Sequence, residues 1–106
     1  MPEASEHRTA LTDLWRAHMA APFPPGLRGA ERAGIDMVLL DASIAGCVSS
    51  WLDRDGSPDT RRLKIADRCV LDLDLDLVLP LLTETEEIAY FRRLRRMAAL
   101  VSLPEN

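Results

Sequence analysis

The stretch Leu71-Asp72-Leu73-Asp74-Leu75-Asp76-Leu77 decides the fold, because it supports two readings. In isolation it alternates apolar and acidic residues, the period-2 signature of a half-buried strand. Its three carboxylates would also suit an oxygen-rich metal loop. With its flanks it joins a helix: Leu63, Ala66, Val70, Leu73 and Leu77 recur at spacings of 3, 4, 3 and 4, one stripe at 3.6 residues per turn. Cys69 and Leu81 fall beside that stripe. The flanks outweigh the run, and the helix reading is taken. A calcium loop beginning at Asp72 would need Gly at its sixth position and Glu at its twelfth, where this chain has Leu77 and Thr83. On a helix Asp72 and Asp76 share a face and Asp74 leaves it, so the run reads as a solvated acidic face.

Working outward, this helix is predicted to start at Asp59 or Thr60 and to run to about Leu79, with Pro80 as its stop. Upstream, Asp53-Arg-Asp-Gly-Ser-Pro-Asp59 is a turn. Read as a calcium loop about Gly56, it would put Trp51 and Arg62 where carboxylates are required. Downstream, Thr83-Glu-Thr-Glu86 fits a capping box, and a fourth helix follows to about Leu103. With Leu94 at the centre of its apolar face, Tyr90, Phe91, Met97, Ala98 and Val101 fall within about 60° of it. Glu84, Glu86 and Glu87 precede the arginines, the order the helix dipole favours.

In the N-terminal half a first helix is predicted from about Glu3 to Met19, with Leu11, Leu14, Trp15 and His18 on one stripe. Pro22 ends it, and the Pro/Gly-rich connection to about Gly34 is long for a helical bundle. Its Pro22-Phe23-Pro24-Pro25 has PxxP spacing, but a helix stop with Phe23 docking on the core accounts for it better. The second helix is read from Ile35 to Leu52. Two adjacent apolar stripes make it central rather than peripheral. The competing reading is a short strand at 35–40, with Asp41 capping a shorter helix.

A chain of 106 residues with 47% hydrophobic content is one domain, residues 1–106, able to bury a core. Aromatics are only 5%, which favours aliphatic helix packing over a β-sandwich. The expected fold is therefore all-α, a four-helix bundle-like domain; the alternative is α+β with the strand at 35–40. The first residues lack a basic region followed by an apolar one, and no apolar run approaches the ~20 residues of a membrane span, so a cytoplasmic protein is expected. Cys47 and Cys69 sit on apolar helix faces and read as buried thiols rather than a disulfide.

No catalytic constellation is visible, and no cofactor or metal site is assigned. His7 and His18 share a helical stripe but lie ~16 Å apart along it, too far for one metal. His18 reads as a core-edge residue and His7 as a surface one. The basic residues concentrate at Arg92, Arg93, Arg95 and Arg96; with Phe23 and Arg28 of the long connection, they are the candidate partner-binding residues. A net charge of −4 argues against general nucleic-acid or anionic-membrane binding. The expected function is a non-enzymatic helical interaction or regulatory module, with a protein partner or self-association, and with apolar surface on the second and third helices beyond what four helices can cover. The alternatives are nucleic-acid binding through the arginine-rich fourth helix and a metal-assisted enzyme using Asp72 and Asp76.

Overall fold

The structure is a computed structural model and describes residues 2–54, 60–73 and 78–102, with side chains from Glu6 onward. Four helices pack on one another: α1 (Pro2–Ala20), α2 (Met37–Asp53), α3 (Thr60–Asp72) and α4 (Thr85–Ser102). Two two-residue strands, β1 (Glu31–Arg32) and β2 (Ile35–Asp36), form the sole sheet among the described residues. The domain is all-α.

α4 is the element around which the others assemble, packing against α1, α2 and α3. The reason is its apolar face: Tyr90, Phe91, Leu94, Met97, Ala98 and Val101 are all buried, the same set that the 3.6 periodicity selects. Each large side chain so buried contributes about 1.5–3 kcal/mol. α2 supplies Met37, Leu40, Ile44, Cys47, Val48 and Trp51, and α3 supplies Ala66 and Cys69, with Leu73 just beyond it. Leu11 is the only fully buried apolar side chain described on α1.

Two boundaries differ from the sequence reading. The second helix begins at Met37 rather than Ile35, and Asp36, not Asp41, caps it: the Asp36 carboxylate accepts from the Leu39 N–H at 2.9 Å. Ile35 and Asp36 instead pair antiparallel with Arg32 and Glu31. The turn between them is Ala33-Gly34, and both residues have positive φ, 55° and 76°. Positive φ at both central positions is what the tightest hairpin requires. The third helix stops at Asp72, short of the expected Leu79. Leu73 N–H still bonds the Cys69 carbonyl, and after the undescribed residues a 3-10 turn at Leu79–Leu81 carries Pro80. Seven further helical residues would have carried the chain roughly 10 Å onward. Stopping lets Val78, Leu79 and Leu82 enter the core. Residues Asp74 to Leu77, Asp76 included, lie outside the described residues, as do 55–59 of the polar turn.

The long connection after α1 has structure of its own. Phe23 packs edge-on against Tyr90 and Phe91, a 3-10 turn spans Pro25–Leu27, and Leu27 is fully buried. The hairpin follows and is tied back by Met37 N–H to the Ala30 carbonyl at 3.1 Å. Phe23 docks on the core as expected.

Candidate functional site

Both histidines of α1 reach across to α2 and α4. His7 stacks on Trp51 of α2, ring centroids 5.3 Å apart, and its Nε2 donates to the Leu100 carbonyl of α4. A carbonyl only accepts, so this contact sets the proton on Nε2. His7 is therefore half-buried, not the surface residue expected. Its partners are distant in sequence, and no local pattern could reveal them.

Three turns along α1, His18 is 6% exposed and meets Asp41 of α2 and Tyr90 of α4. His18 Nε2 lies 3.1 Å from Asp41 Oδ1, at ion-pair distance but without the alignment of a hydrogen bond. The Tyr90 hydroxyl donates to Asp41 Oδ2 at 3.1 Å. Burial, then the Asp41 charge, then this hydrogen bond push the phenol's pKa upward; Arg93 and Arg28 pull weakly the other way. His18 Nδ1 is buried without a partner. The imidazole packs against the rings of Trp15 and Tyr90, and with Asp41 the arrangement is a polar tie between three helices.

Of the six residues expected to bind a partner, three converge. Arg28 lies over the Phe23 ring at 5.6 Å, Phe23 contacts Tyr90, and Arg93 stands beside Tyr90 in a groove of about 290 Å³ whose wall includes Pro22, Pro24, Pro25 and Glu86. The other three do not join them. Arg92 and Arg96 are exposed, whereas Arg95 is half-buried with an unpartnered Nε. Helical geometry splits the basic cluster over three directions.

A second groove, of about 340 Å³, lies between α2 and α3 and was not legible as a site in the sequence. Ile35, Leu39, Leu40, Ile65 and Cys69 form its apolar lining, and Asp36, Arg68 and Asp72 its charged rim. Within it Leu39 is 65% exposed; Val38 at 43% and Leu71 at 59% are exposed on the same helices but outside this lining. Asp72, offered above as a metal ligand, pairs instead with Arg68 one turn earlier at 3.2 Å. Among the described residues no group of three or more His, Cys, Asp or Glu side chains is placed to hold a metal ion. Neither cysteine forms a disulfide; Cys47 donates to the Arg62 carbonyl, and burial, with charge at Cys47 and Asp72, pushes the Cys69 thiol up to about 12.

Fold and site together define a small helical bundle with open grooves and an internal histidine tie. No family model, curated protein or solved structure matches this chain. Among the described residues no helix is long and apolar enough to cross a membrane.

Proposed function

We propose that this protein is a non-enzymatic interaction module, and that the face formed by α2 and α3 docks a second copy of the chain. The observation that carries this is an open apolar groove between α2 and α3 in which Leu39, 65% exposed, stands beside Ile35 and Ile65. A solvated leucine beside an open apolar groove is a cost that association removes. A second copy is favoured by the rim, which carries both signs in Asp36, Asp72 and Arg68. An isologous interface sets a patch against itself, and a mixed rim can pair across the two-fold axis where a single-sign rim would repel. The division of the arginine cluster weighs against phosphate tracking, because only Arg92 and Arg96 keep exposed, neighbouring positions.

The test is sedimentation equilibrium of the wild type beside Leu39→Glu and Arg68→Glu. Both sites are exposed, so the fold is retained. A wild-type dimer that both variants dissociate supports the proposal. A wild-type monomer at high concentration, or a dimer indifferent to both changes, overturns it.

A further inference from the structure

A different groove, away from the α2–α3 face, holds a carboxylate with nothing to answer it. Where the 3-10 turn meets the start of α4, Pro24, Pro25, Gly26, Glu84, Glu86 and Glu87 surround a space of about 350 Å³. Glu87 is only 8% exposed. Among the described residues neither a hydrogen bond nor an ion pair from another side chain reaches its carboxylate. The side chain is enclosed while its carboxylate faces the groove, and the helix start supplies only a partial positive charge against it, so a cation entering the groove gains an unpaired, partly desolvated carboxylate. The groove reaches down to this group because residue 26 has no side chain: a Cβ on Gly26 would lie 3.1 Å from Glu87 Oε2. Through Pro24, Pro25 and Glu86 the space continues into the neighbouring groove that ends at Tyr90 and Arg93, where Arg93 Nη1 is buried and unpartnered.

We infer that this continuous groove binds an extended peptide segment of a partner protein, with an arginine or lysine side chain on Glu87 and an acidic side chain on Arg93. An organic cation is favoured over a metal ion, since the glutamates do not converge as a ligand set. Pro24 and Pro25 offer apolar walls for the methylene stem of a basic side chain. From Glu87 to Arg93 the helix rises ~9 Å and turns ~120° about its axis, a span of ~13 Å and the reach of about four residues of extended chain. Side chains four apart in an extended chain share a face, so the segment has the form basic-x-x-x-acidic.

The experiment is fluorescence anisotropy with a labelled peptide containing Arg-Ala-Ala-Ala-Glu, beside peptides with Gln for its Arg or Ala for its Glu. The parent peptide binds saturably, and Glu87→Gln weakens it by about tenfold or more while leaving the Gln peptide unaffected. Arg93→Gln weakens the parent but not the Ala-ended peptide. Gly26→Ala, which fills the floor of the groove, reproduces the loss independently should Glu87→Gln fail to fold. No saturable binding up to the millimolar range, or equal affinity in the Glu87→Gln and Gly26→Ala proteins, overturns the inference. Neither result depends on Leu39 or Arg68, so the dimer proposal stands or falls separately.

Discussion

Tyr90 is the only tyrosine in the chain, so its ionisation can be followed without ambiguity. Its phenol is buried and donates to a carboxylate that cannot be its partner once both are charged. Spectrophotometric titration of the native protein is expected to show tyrosinate only well above the ordinary value of 10.0, whereas denatured protein titrates near it. A native inflection at or below that value would contradict the geometry at Asp41. The residue was legible in the sequence as part of an apolar helix face, but its bond to Asp41, 49 positions away, was not. The same holds for His7 with Leu100, 93 positions away. Periodicity reports which face is buried, and it does not report what the polar tips on that face meet.

At the scale of elements, the hairpin is the feature that sequence patterning missed. Turns with positive φ at both central positions favour Asn-Gly or Asp-Gly, and this chain uses Ala33-Gly34. Ala33 therefore stands in a left-handed conformation that Asn tolerates better. Ala33→Asn is expected to stabilise the protein by about 0.5–1 kcal/mol, read as a higher midpoint in urea denaturation with an unchanged slope. The turn escaped notice because its signature residue is absent and each strand is only two residues long. The end of the third helix was missed for a different reason. The apolar stripe continues through the leucine–aspartate run, while the helix stops where the chain must turn toward α4.

For the whole molecule, stability should fall on the alkaline side. Cys69 is pushed from 9.0 up to about 12 in the folded state, and Tyr90 is raised above its ordinary 10.0. Both groups hold their protons more tightly folded than unfolded. Their contribution is thus complete below the unfolded values and is lost as pH rises past 9.0 for Cys69 and past 10.0 for Tyr90. Tm measured across the alkaline range should decline in that order, and Cys69→Ala with Tyr90→Phe should flatten the decline; an unchanged slope in the double variant would assign it elsewhere. By itself the sequence determined the class and the core: four apolar stripes at helical spacing, with the buried face of α4 named residue by residue, because burying one face of a helix leaves a local and periodic trace. Tertiary structure alone decided the rest. It drew Phe23, Arg28 and Arg93 together around Tyr90, tied both histidines across three helices, and left the α2–α3 groove and the Glu87 carboxylate open. Those arrangements depend on which faces meet and at what angle, and side chains distant along the chain carry no mark of one another until the helices pack.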